Sequence, residues 1–237
     1  MPIKIDDVFP ANWRDLIAPV GRIGMGMDPG TTEKEKSNPT ALAIIQERLP
    51  DYIVRLLIRW KTKDPDVARA IIKKALDLPH GLRARRLCVD ATNERYFCAD
   101  LRKRFAGTAP VELLVASENY TYLGQTMSTK LYLGNLFCNT IEDGHLLLPN
   151  KEWISKDIRL VKRERGTFTA EVDSEGNHAD TFDGIKNALH ALISNSGPAE
   201  ASPAQVGTYG SDKRPDADRR FPDHSSDGRS GSGLRLL

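Results

Sequence analysis

Gly24–Ile45 reads GMGMDPGTTEKEKSNPTALAII, and the fold turns on how this stretch is divided. A glycine-punctuated apolar run ends in Asp28, a Pro-Gly turn and a polar insert follow, and a strongly apolar run resumes at Thr40. Tyr52–Trp60, rich in β-branched and aromatic residues, supplies a third strand with no helical crossover before it, which predicts an antiparallel meander. Asp64-Pro65 then reads as N-cap and first helical residue, and Val67, Ile71 and Ala75, with Ala68, Ile72 and Leu76, recur at helical spacing. Pro79 and Gly81 stop that helix. Arg86–Asp90 is a short buried strand, Asn93–Phe105 a helix and Val111–Ala116 a further strand. Three antiparallel strands followed by two helix-linked strands predict an α/β domain. It has a mixed five-stranded sheet and helices on both faces.

Downstream, Thr129–Asp143 reads as a long helix stopped by Gly144, and His145–Leu148 as an apolar run before Pro149. Arg159–Glu164 and Thr167–Val172, joined by Arg165-Gly166, read as a late β-hairpin. His178–Ile193 is a closing helix with Phe182, Ile185, Leu189 and Leu192 on one stripe. Composition changes near Ser194. Gly, Pro and Ser make up 16 of the 41 residues from 197 to 237, and six acids balance six bases. Such a segment buries too little apolar surface to offset its ordering entropy and is expected to be disordered. The chain divides into a leading segment at 1–20, one domain at 21–196 and a tail at 197–237.

The 237 residues carry 34 Lys and Arg against 32 Asp and Glu, a net charge of +2. Nucleic-acid binding would therefore work through local patches rather than a global field. No apolar run is long enough for a membrane span, and Lys4, Asp6 and Asp7 stand where a signal peptide would be apolar. Three cysteines (Cys88, Cys98, Cys138) without a CxxC pair argue against a disulfide scaffold or a cysteine zinc site.

Three acidic positions stand out by placement. Asp28 ends the first strand and Asp90 the fourth, while Asp180 and Asp183 sit on the opening turns of the last helix. At about 100° per residue the latter two lie about 60° apart, opposite the apolar stripe. The first and fourth strands are expected to be neighbours, which would bring Asp28 and Asp90 out side by side. Clustered carboxylates repel and their pKa values rise unless a cation lies between them. A hard-cation site for Mg²⁺ or Mn²⁺ is the expected form, and two such ions about 4 Å apart suit in-line attack on a phosphodiester.

The segments GMDPGTTEKEKSNPTALAII, RRLCVDATN, IEDGHLLLPN and NHADTFDGIKNAL together resemble the nuclease domain of phage terminase large subunits, over roughly 21–193 and nearest the Mu-like branch. The resemblance implies a ribonuclease H-like fold and Mg²⁺- or Mn²⁺-dependent cleavage of double-stranded DNA during genome packaging. It implies Asp28, Asp90 and Asp180 as catalytic metal ligands, with Asp183 the alternative third ligand ranked just behind Asp180, and His178 close to the metals. It further implies a packaging ATPase domain or subunit, small terminase and portal as partners, and the cytoplasm of an infected bacterial host as the setting. Residues 1–20 would be the linker leaving that ATPase, although no GxxxxGK[ST] loop occurs here. Gly184 stands where the family commonly has Ala. Lys156, Arg159, Lys162, Arg163 and Arg165 on the late hairpin are expected to face DNA.

Two competing readings bear on the same residues. Asp28-Pro29-Gly30-Thr31-Thr32 also resembles the first phosphate turn of the actin, Hsp70 and sugar-kinase group, but VDATN lacks the glycine a second phosphate turn needs. A non-catalytic module of the same fold, docking to DNA or portal, is opposed by the presence of all three acids.

Overall fold

The computed structural model describes residues 3–30, 38–164, 166–173 and 178–194. The tail at 197–237 and Arg165 lie outside the described residues. The central sheet is built from β1 (Arg22–Asp28), β2 (Thr40–Arg48), β3 (Asp51–Trp60), β4 (Ala84–Asp90) and β5 (Val111–Leu114). After it come a small hairpin, β6 (Asn119–Tyr122) and β7 (Gln125–Ser128), and the two-residue β8 (Leu146–Leu147). A late hairpin, β9 (Val161–Glu164) and β10 (Thr167–Ala170), completes the strands. The helices are α1 (Pro65–Leu76), α2 (Arg95–Phe105), α3 (Thr129–Glu142), α4 (Glu152–Ile158) and α5 (Asp180–Ile193).

The sheet order is β5-β4-β1-β2-β3-β8. β1–β2 and β2–β3 are antiparallel, whereas β1–β4, β4–β5 and β3–β8 are parallel. This is the expected mixed α/β sheet with one strand more than the five predicted. The apolar run after Gly144 lays Leu146 and Leu147 beside Tyr52 and Ile53 on the outer edge of β3. Two other elements were not anticipated. The β6–β7 hairpin has little alternating hydrophobicity to announce it, and α4 is only seven residues long. Lys156 and Arg159 therefore belong to α4 and its C-terminal end, not to the late hairpin.

Strand alternation sorts the core into two layers. Ile23, Met25 and Met27 of β1, with Leu42, Ile44, Leu87 and Val89, pack against Ile71 and Ile72 of α1 and Leu101 of α2. On the other face Ala43 and Ile45 meet Phe137 of α3 and Phe182, Ile185 and Leu189 of α5. α1 begins as the sequence predicts, the Asp64 carboxylate accepting from the Asp66 and Val67 N–H groups. The leading segment packs on the domain. Phe9, Trp13 and Ile17 are buried in the first core layer, and Gln46 clamps the chain behind them. Its amide donates to the Ala18 and Val20 carbonyls at 2.7 and 2.8 Å and accepts from the Ala18 N–H at 3.0 Å. Among the described residues no helix is long and apolar enough to cross a membrane.

Candidate active site

The glycines of GMGMD determine where α5 lies. Gly24, Gly26 and Asp28 share the face of β1 turned toward α5, and neither glycine position has room for a side chain. A Cβ on Gly26 would stand 2.2 Å from the Ala188 nitrogen and the Gly184 oxygen, and one on Gly24 2.5 Å from the Ala188 oxygen. The α5 backbone therefore lies directly on β1. Asn187 locks it there, donating from Nδ2 to the Met27 carbonyl at 3.1 Å.

This contact gathers the acids at one rim. Met27 pairs with Val89 in parallel register, so Asp28 and Asp90 end adjacent strands one residue further on, with side chains on the same face. The Thr40 hydroxyl holds the turn after Asp28, accepting from the Gly30 N–H and donating to the Gly30 carbonyl, both at 2.9 Å. Asp90 accepts from the Thr92 N–H at 2.8 Å. Above these strand ends the first turn of α5 brings Asp183, half-buried, and Asp180, 1% exposed.

Burial raises the Asp28 carboxyl well above its ordinary value, and the charges of Asp183, Asp90 and Asp180, in that order, raise it further. Burial, then Asp157 and Asp183, push Asp180 up to about 7. A buried cation sits among them. Lys186 is 6% exposed, its ammonium paired with Asp183, and Asp183, Asp90 and Asp28 outweigh its burial to hold its pKa above the ordinary value. Among the described residues, four carboxylates face the Lys186 ammonium and, beside Asp180, the Arg59 guanidinium, which leaves the rim short of positive charge. Asp180 also buries an Oδ2 that has no hydrogen-bond partner. An oxygen-only donor set with unspent negative charge fits a hard divalent cation of the Mg²⁺ or Mn²⁺ kind.

A second cluster has closer ligand atoms but does not fit a metal. Cys88, Glu112 and His190 lie within 4.8 Å of one another. Glu112 already accepts from Arg86 and contacts His190 Nε2 at 3.2 Å, and burial drives the Cys88 thiol well above its ordinary value. A cation there would have to displace the buried Arg86 and ionise a buried thiol. Arg86 also donates to the Ser194 hydroxyl at 2.7 Å, so the cluster pins the C-terminal end of α5 to β4 and β5.

Of the residues singled out in the sequence, Asp28, Asp90, Asp180 and Asp183 converge. His178 is half-buried two residues ahead of α5. Lys156, Arg159, Lys162 and Arg163 are exposed along α4 and β9, where Lys156 pairs with Glu152, Lys162 with Glu171, and Arg163 lies 5.8 Å from the Phe168 ring centroid. Sequence reasoning missed Lys186 and also Asp157, which is buried at 3% exposure. Lys186 was findable, since it stands one helical turn beyond Asp183 on the polar face. Asp157 carried no such signal.

A parallel β1–β4 pair with acids at its end, continued by an antiparallel meander and crossed by an acid-bearing helix, defines the ribonuclease H-like class. The model of one family, described as the terminase RNaseH-like domain, matches residues 25–192. The chain belongs to that terminase family. Among solved structures it is similar to the large terminase nuclease of thermophilic phage G20c with bound magnesium (16% identity, TM-score 0.53, covering 73% of this chain and 82% of that one). It is similar also to a K428A mutant of the gp2c portion of the phage sf6 large terminase, with calcium (10% identity, TM-score 0.51, covering 78% and 96%). The large terminase of phage D6E matches at 13% identity and a TM-score of 0.54 over 80% of this chain, which spans 45% of that longer protein. No curated protein sequence matches closely enough to count as a relative. Family membership favours the terminase reading of Asp28–Thr32 over the phosphate-turn reading.

Proposed function

We propose that the chain is a Mg²⁺- or Mn²⁺-dependent endonuclease that cuts double-stranded DNA during genome packaging in the cytoplasm of an infected bacterium. The observation that carries the reading is the convergence of Asp28, Asp90, Asp180 and Asp183 at one rim, with a buried, unpartnered carboxylate oxygen among them. Asp28 and Asp90 are the strand-borne ligands. Asp180 ranks just ahead of Asp183 as the third, because its buried Oδ2 has no hydrogen-bond partner whereas Asp183 is already paired with Lys186. Two bound ions would activate water and neutralise the leaving oxygen. The four carboxylates hold that charge at the strand ends, and Lys186 balances the surplus negative charge of Asp183. Exposed Lys156, Arg159, Lys162 and Arg163, together with Arg165, are proposed to meet the DNA backbone, so that binding weakens steeply with salt. A packaging ATPase domain or subunit, small terminase and portal are the proposed partners.

Plasmid cleavage in Mn²⁺, Mg²⁺ or EDTA tests this. Wild type is expected to cut with either metal and not with EDTA, and Asp28→Asn, Asp90→Asn and Asp180→Asn to lose activity, with Asp183→Asn deciding between the two acids of α5. An Asp90→Asn protein that still cuts would overturn the mechanism.

A further inference from the structure

α5 begins without a cap of its own. Its N-cap position is Ala179, in the left-handed region at φ 63° and ψ 32°, and alanine offers no oxygen to the free N–H groups of the first turn. One of those donors is satisfied from a different helix. The Thr181 N–H donates to Asp157 Oδ2 at 2.9 Å, and the Thr181 hydroxyl donates to the same oxygen. The other Asp157 oxygen lies 3.5 Å from the Arg59 guanidinium, which in turn lies over the Trp153 ring of α4 at 4.6 Å. A carboxylate this deeply buried is costly to keep. The arrangement achieves something a local cap would not. It ties the backbone between Asp180 and Asp183 to α4, whose neighbouring Lys156 and Arg159 face solvent.

We propose that Asp157 is a positioning residue of the nuclease: it supplies the missing cap of α5 and so holds Asp180 and Asp183 over the ends of β1 and β4. The proposal rests on the nuclease reading for its catalytic consequence, but not for its geometry. A first turn released from Asp157 frays, and a displacement of about 1 Å in a catalytic group lowers turnover about 100-fold.

The test compares wild type, Asp157→Ala, Asp157→Asn and Thr181→Val well below their melting temperatures. It reads kcat and KM for Mn²⁺-dependent plasmid nicking, and amide hydrogen exchange at 181–183. Asp157→Ala is expected to lose about 100-fold in kcat at unchanged KM, and to exchange those amides faster. Asp157→Asn keeps an oxygen that accepts from the Thr181 N–H, so it is expected to recover to within about tenfold of wild type. Wild-type kcat in Asp157→Ala, or equal impairment in the Ala and Asn variants, would overturn the proposal. If Asp157→Ala does not fold, Thr181→Val decides. It keeps the N–H bond and loses the hydroxyl bond, so about a tenfold fall in kcat at constant KM is expected, and wild-type kcat overturns. If wild type cuts no DNA with Mn²⁺ or Mg²⁺, the nuclease reading fails. The exchange rates then stand alone, and unchanged protection at 181–183 in the variants overturns the capping role.

Discussion

Gly26→Ala tests the geometry on which the site depends. The added Cβ would lie 2.2 Å from the Ala188 nitrogen and the Gly184 oxygen, both backbone atoms that cannot rotate aside. An ordinary contact begins near 3.4 Å, so α5 must withdraw from β1 by about 1 Å. Overpacking of this kind costs about 1–3 kcal/mol. For a domain of this size that is a fall of about 3–10 °C in melting temperature. The same withdrawal lifts Asp180 and Asp183 from Asp28 and Asp90, and about 1 Å of misplacement costs about 100-fold in turnover. Activity is therefore expected to fall much further than stability. Thermal unfolding and Mn²⁺-dependent nicking of supercoiled plasmid, measured on one preparation, read both. Gly107→Ala is the control, since nothing lies within 4 Å of its Cβ position. A Gly26→Ala protein that melts within a degree of wild type and nicks at the wild-type rate would refute the idea that α5 rests on bare backbone.

Gly184→Ala points the opposite way. Its Cβ would come no closer than 3.7 Å to a neighbour, Ala41, so helix propensity should stabilise the protein by about 0.5–1 kcal/mol with activity retained, which thermal unfolding and the nicking assay check together. Asp180, raised to about 7, holds its proton more tightly folded than unfolded. Metal-free stability is therefore expected to fall as pH rises from about 4 toward 7, and Asp180→Asn to flatten that slope, in melting curves recorded in EDTA across the range. A slope unchanged by the substitution would show that Asp180 is not the group responsible.

Much of the site was legible in one dimension because its acids stand at element ends. An aspartate that terminates an apolar run, as Asp28 and Asp90 do, must leave the sheet at its rim, and an acid pair on the polar side of an amphipathic helix must face away from that helix's apolar stripe. The order of the longer strands and helices followed from hydrophobic period, and the N-cap at Asp64 from the Asp-Pro pair. Short elements with weak periodicity were not legible. The two residues of β8 and the seven of α4 gain their structure from the surfaces they cover, not from local preference.

Sequence by itself determined which acids could meet, since that depends on strand and helix ends set by local pattern. Tertiary structure alone decided how they meet. The glycine spacing of GMGMD reads as weak strand until α5 is seen lying on it, and nothing local to Asp157 marks it as the partner of Thr181. Both are consequences of backbone approach between segments more than twenty residues apart, a distance that no local period encodes.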